Sequence, residues 1–207
     1  MIVRKSASSR RNEILRATLD QIQERGMNAT RAADVAEALG ISESVVFYHF
    51  RSREDLMAEA YGLYTRTSSD LLEEAMAAPG SPSERLQRVL TAYIPHGNIR
   101  DWTLWLEAWT AARIDPRMAD ILRKQDKFWR SSVEKVILEG IEARVFVTDN
   151  PAAAAWRITS MIDGFGVQLV VGFNTREATT LLTWLEHEVT RELQLDPPLP
   201  LRGQLQN

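Results

Sequence analysis

Cysteine is absent from the 207 residues. That removes disulfides, zinc ribbons and thiol nucleophiles together. Histidine is scarce: His49, His96 and His187 stand far apart, and no HExxH or comparable spacing occurs. Neither a metal site nor a metal cofactor is expected from so few ligands. No apolar run approaches the roughly 18 residues a membrane span needs. The leading "MIVRKSASSRRNE" has basic residues but lacks the apolar core of about 7–15 residues that marks a secretory signal. A cytoplasmic chain without a membrane partner is the expectation. Catalytic motifs are missing too. "GFGVQLVVG" fails the GxGxxG pattern because Leu169 takes the third glycine's place, and there is no P-loop and no GxSxG elbow. No catalytic residue is therefore assigned, and an enzyme is not expected.

What is present reads as a folded helical chain. An apolar fraction of 44% beside 26% charged residues argues against disorder along the length. Charge is distributed unevenly. Residues 1–53 carry nine Lys or Arg against six Asp or Glu, a net of +3; the rest carry sixteen against twenty-two, a net of −6. A basic head on an acidic body raises nucleic acid as a partner for the head.

Helix signals recur and strand signals do not. Ile14, Leu15, Thr18, Leu19 and Ile22 form one helical face between Glu13 and Arg25, and Gly26 stops it. Further helices are expected over Ala32–Leu39, over Glu43–Phe50 with Ser42 as N-cap, and from Ser52 to about Ala77. "SPSE" at Ser81, Asp115-Pro116 and Asn150-Pro151 each join a cap to a proline at the first helical position. Asn174 with Glu177 marks a last helix striped by Leu181, Leu182, Leu185, Val189 and Leu193. "ARVFVTDN" (143–150) reads as a loop, since a lone strand has no partner. The sum is an all-α fold of about nine helices. Residues 1–52 form a first domain, 53–197 a second, and 198–207, with its prolines nearby, a loose tail.

Gly40 and Ile41 alone separate Leu39 from Ser42. Two helices must then cross steeply, as in a helix-turn-helix that offers the start of its second helix to the DNA major groove. Ala36, Leu39, Val46 and Phe50 face inward on this reading. Glu43, Ser44, Val45, Tyr48 and His49 are left toward the groove or the phosphates. Phe47 and Phe50 are assigned to the core. The Tyr48 hydroxyl and the His49 imidazole can donate to phosphate oxygens, and Arg53, like Arg51, lies where the next helix begins.

The stretch from Arg11 to Tyr61 resembles the DNA-binding domain of the TetR family of bacterial transcriptional regulators. The resemblance is carried in order, without a gap, by Arg11, Ile14-Leu15-Arg16-Ala17, Glu24-Arg25-Gly26, Ala29-Thr30, Asp34-Val35-Ala36, Gly40-Ile41-Ser42, Val46-Phe47-Tyr48-His49-Phe50 and Arg51-Ser52-Arg53-Glu54-Asp55-Leu56. It implies double-stranded operator DNA as partner and adds Arg11, Thr30, Arg31 and Ser42 to the contact set. Arg31 stands where the family usually caps its second helix with Ser or Thr, so Thr30 is expected to take over the cap. Glu43 stands where a basic or neutral residue is common.

"WLEAWTAARIDPRM" (105–118) and "IDGFGVQLVVG" (162–172) resemble the BetI-type C-terminal domain. That implies an all-helical homodimer paired through the last two helices, and a small-molecule effector. Trp102, Trp105 and Trp109, spaced i, i+3, i+7, would line its cavity with Phe128, Trp129, Met161 and Phe165. Aromatic walls suit an apolar or aromatic ligand, or a cation held against ring faces with Asp163 as its charge partner. The function implied is a ligand-responsive regulator, a repressor released from a palindromic operator. The alternative is a helical adaptor that does not bind DNA.

Overall fold

A computed structural model describes residues 6–94, 99–172 and 178–201. Among these there are nine α-helices and no strand. They are α1 (Ala7–Arg25), α2 (Ala32–Leu39), α3 (Glu43–His49), α4 (Arg53–Ala77), α5 (Pro82–Tyr93), α6 (Ile99–Ala112), α7 (Pro116–Glu142), α8 (Pro151–Val170) and α9 (Ala178–Glu192).

Local chemistry sets most of the boundaries. The Ser81 hydroxyl accepts from the Glu84 amide at 3.3 Å, and Glu84 Oε2 accepts from the Ser81 amide at 2.7 Å, a reciprocal cap. Asn150 Oδ1 accepts from the Ala153 amide at 3.0 Å ahead of Pro151. Ser52 Oγ accepts from the Asp55 amide at 3.1 Å at the head of α4. One start differs from expectation. α1 begins six residues before Glu13, because Ser6 Oγ accepts from the Ser9 amide at 3.2 Å and caps it there. The expected Asn174–Glu177 cap lies outside the described residues.

The chain divides into two compact units. The first comprises residues 1–67 with 103–123, the second 68–102 with 124–207. The division passes through α4, α6 and α7, so the first unit is larger than a domain ending at residue 52. Its core joins Ile14, Leu15 and Ile22 of α1 to Val35, Val46 and Phe50, then to Leu56 and Tyr61 of α4 and to Leu104, Ala108 and Met118. Of the α1 stripe, Ile14, Leu15, Thr18 and Ile22 are buried and Leu19 is partly buried.

In the second unit α8 packs on α9. Leu181, Leu182, Leu185, Val189 and Leu193 are all buried within the chain. The stripe on the last helix therefore needs no second subunit to cover it. The 143–150 segment is a loop, as expected, yet it is anchored. The Phe146 ring lies against Gly140, where a Cβ would fall 1.9 Å from Phe146 Cδ2, and the Val147 amide donates to Leu193 O at 3.0 Å. The expected loose tail is packed through residue 201. Leu195, Leu199 and Leu201 are buried, and the Gln87 amide donates to Pro200 O. Apolar residues between the prolines hold a segment that cannot be helical.

Candidate functional site

The turn between α2 and α3 has the geometry its sequence requires. Gly40 sits in the left-handed region at φ 62°, ψ 37°. The Gly40 amide donates to Glu37 O at 3.1 Å and the Ile41 amide to Ala36 O at 3.0 Å, closing α2. Within α3, Val46 is fully buried, and Phe50 just beyond it is 1% exposed. These anchors turn the opposite edge outward: Ser42, Glu43 and Ser44 are exposed, Val45 and His49 are partly exposed, and Tyr48 is 80% exposed. Ser42 stands at the cap position without capping. Its hydroxyl shares a 2.7 Å hydrogen bond with Ser44 Oγ.

Two sequence assignments, Phe47 and Thr30, are corrected here, and Arg53 and Arg11 are found with partners inside the fold. Phe47 is 44% exposed and joins the outward edge instead of the core, because a helix this short buries one face only and Val46 and Phe50 occupy it. Thr30 is fully buried and its hydroxyl donates to Gly26 O at 2.8 Å, so it neither caps α2 nor offers its side chain to a phosphate. The cap falls to Asp34, whose Oδ2 accepts from the Arg31 amide at 2.7 Å. Arg53 donates from Nε to Thr30 O at 2.9 Å and from Nη2 to the carbonyls of Met27 and Asn28. Its guanidinium grips the α1–α2 loop. Arg11 pairs with Glu59 and lies over the Phe50 ring, 4.8 Å from its centroid. Arg31 and Arg51 are exposed.

The same α1–α2 loop has a second holder. Glu107 Oε2, on α6, accepts from the Met27 amide at 3.0 Å, and Glu107 Oε1 lies 3.2 Å from where a Cβ on Gly26 would stand. Gly26 is at φ 83°, a conformation that already favours glycine. One carboxylate on an amide and one guanidinium on three carbonyls fix the link that positions α2 and α3.

The tryptophan face separates into groups. Trp105 and Trp109, with ring centroids 4.0 Å apart, belong to the first unit, and Trp109 is 43% exposed. Phe165 meets Trp184 of α9 at 6.4 Å. Met161 is partly buried. Phe128 lines an open groove with Met76, Ser132 and Lys135. Trp102 and Trp129 are buried in the second unit. There the Tyr93 hydroxyl donates to Asp163 Oδ1 at 2.8 Å, and the Tyr93 ring meets Trp129 edge-on at 4.8 Å. Trp102 packs where a Cβ on Gly166 would be, 1.9 Å from Cζ3. Gly166 lies one helical turn past Asp163, on the same face of α8.

Burial pushes the Asp163 carboxyl up to about 6; the Tyr93 hydrogen bond pulls it down, the Asp126 carboxylate raises it and Arg130 lowers it. Burial, then the neighbouring Asp163 charge, raises Tyr93 well above the usual tyrosine range. Tyr93 was not marked by sequence. It is the one tyrosine after residue 64, but its partner is 70 residues away. No group of three or more His, Asp or Glu among the described residues could hold a metal. No helix among them is long and apolar enough to cross a membrane.

Comparisons with known proteins agree with this geometry. Residues 14–60 match the model for bacterial regulatory proteins of the tetR family. Residues 82–194 match that for the C-terminal part of BetI-type transcriptional repressors. The HTH-type transcriptional regulator BetI of Escherichia coli (strain K12) is 23% identical over 193 residues, covering 91% of this chain and 96% of the relative. The same regulator of Klebsiella pneumoniae (strain 342) is 23% identical over 188 residues, covering 89% and 94%. Among solved structures, a transcriptional regulator from Saccharomonospora viridis in complex with choline superposes with a TM-score of 0.85 at 25% identity, covering 90% of this chain and 98% of that one. A TetR transcription regulator from Haloarcula marismortui gives a TM-score of 0.83 at 23% identity, with 90% and 100% covered.

Proposed function

Since the chain belongs to the TetR family of bacterial regulatory proteins, which are transcriptional regulators and not an enzyme class, we propose that it is a cytoplasmic repressor released from a palindromic operator by a small organic cation. The observation that carries the DNA-binding half is the outward edge of α3, with Ser42, Glu43, Ser44 and Tyr48 exposed over a buried Val46. Arg31 and Arg51 add exposed charge for phosphates.

The cationic effector rests on a carboxylate set among rings. Asp163 accepts from Tyr93, whose ring meets Trp129, and Trp102 packs on Gly166 one turn further along α8. A quaternary ammonium satisfies both halves of such a site, by charge toward Asp163 and by ring-face attraction toward the indoles. The choline bound to the Saccharomonospora viridis regulator supports this chemistry. Trp102, Trp129 and Asp163 stay in the proposed ligand set, joined by Tyr93.

A homodimer through α8 and α9 completes the reading. The outer side of α8 exposes Ala152, Trp156, Ser160 and Gly164 at four-residue intervals, and Val171 just after α8 and Trp184 on α9 are exposed as well. Small residues let a second helix approach closely, and tryptophans exposed at 56% and 42% favour being covered. Two copies of α3 must then stand about 34–36 Å apart, or a multiple of it, to enter successive major grooves. The effector acts by favouring a state in which they do not.

Linkage supplies the test. Calorimetry with choline, with and without duplex DNA from the region flanking the chain's own gene, should give weaker choline binding in the presence of DNA. Equal affinity in both would refute the coupling.

A further inference from the structure

We propose that Glu43 selects cytosine at one position of each operator half-site. The proposal rests on the reading of α3 as the element that enters the major groove, and it concerns what that element can recognise.

The α3 sequence, ESVVFYH, contains no Arg, Lys, Asn or Gln. Arg and Lys read guanine through O6 and N7, and Asn and Gln read adenine through N6 and N7. This helix has neither means. Its outward leading edge offers Ser42, Glu43 and Ser44, and the two serine hydroxyls are already bonded to each other at 2.7 Å. Glu43 is the side chain there with the longest reach. Among the described residues no ion pair or hydrogen bond engages its carboxylate.

An ionised carboxylate is an acceptor only. Entering the groove removes its water, so it must find donors or pay a large desolvation cost. Guanine shows acceptors at N7 and O6, and thymine shows O4 and a methyl group; neither replaces that water. Adenine offers its N6 amino group beside the N7 lone pair, which repels the second carboxylate oxygen. Cytosine offers its N4 amino group beside a C–H. It is the base that donates to Glu43 without an adjoining acceptor. Phosphate repels the same carboxylate, so Glu43 adds discrimination among bases and nothing to general affinity.

The test is selection of a fully randomised duplex library by the intact chain, by E43Q and by E43A, with the enriched duplexes sequenced. Because Glu43 is exposed, neither substitution should alter the fold. The wild type should enrich cytosine at one position per half-site. E43Q should shift that position toward adenine, since an amide supplies both the acceptor for N6 and the donor for N7. Discrimination there should change about fivefold to a hundredfold. E43A should lose the cytosine preference without gaining adenine. Identical base preferences in all three proteins overturn the proposal, including the case in which both variants bind every duplex more tightly, for then Glu43 does no more than repel phosphate. A wild type that enriches no sequence overturns the regulator reading as well.

Discussion

Asp163 is held by its surroundings in a state that resists ionisation, with a folded carboxyl at about 6 against an ordinary 3.8. Its charge therefore destabilises the unliganded fold. Below 3.8 the group is protonated in both folded and unfolded chains and costs nothing. The cost grows as pH rises through 3.8 to about 6 and is complete above that. D163N removes the charge while its amide oxygen still accepts from Tyr93. It should be more stable than the wild type by about 3 kcal/mol at pH 8, with the gap closing near pH 4, in urea unfolding at the two pH values. The same variant should bind choline more weakly at pH 8, because the counter-charge is gone. A D163N protein of wild-type stability at pH 8 would show that the carboxylate is better solvated than its packing implies.

At the level of helices, the α1–α2 loop depends on side chains that arrive from elsewhere in the fold. Glu107→Ala should leave the Met27 amide without its acceptor and cost about 1–3 kcal/mol. Hydrogen exchange should show the Met27 amide losing protection while the α1 interior keeps it. Arg53→Lys should fare poorly too, since an ammonium cannot reproduce a planar fork on three carbonyls. These roles were not legible in the sequence. Helix starts that combine a cap with proline or a reciprocal acid could be read directly, at Ser81, Asp115 and Asn150, because cap and helix are neighbours in the chain. The Ser6 start could not, since no acid follows three residues on to mark it. Gly40 gave the turn, and hence the outward edge of α3, because only a few residues were involved. Thr30 entered the contact set through the resemblance, which carries over a position and not the Gly26 carbonyl its hydroxyl meets. The Tyr93–Asp163 pair was hidden because its members lie 70 residues apart.

For the molecule as a whole, the chain acts as a DNA-binding transcriptional regulator with net charge −3, so its attraction to DNA is local. Arg11 and Arg53 have partners within the first unit, while Arg31 and Arg51 are exposed. If a dimer neutralises about six to ten phosphates, affinity should drop about 10³–10⁵-fold between 50 and 200 mM salt, measurable by fluorescence anisotropy of a labelled operator. A flat response would favour a helical adaptor. The first unit also has an unusual composition by chain position: its core takes Leu104, Ala108 and Met118 from a stretch that begins more than thirty residues after the first segment ends. A shortened gene covering only the leading segment would encode a polypeptide with exposed oil where those side chains belong. Grafting a new operator preference from another regulator onto this one therefore demands two transplanted pieces, matched to each other at their buried faces.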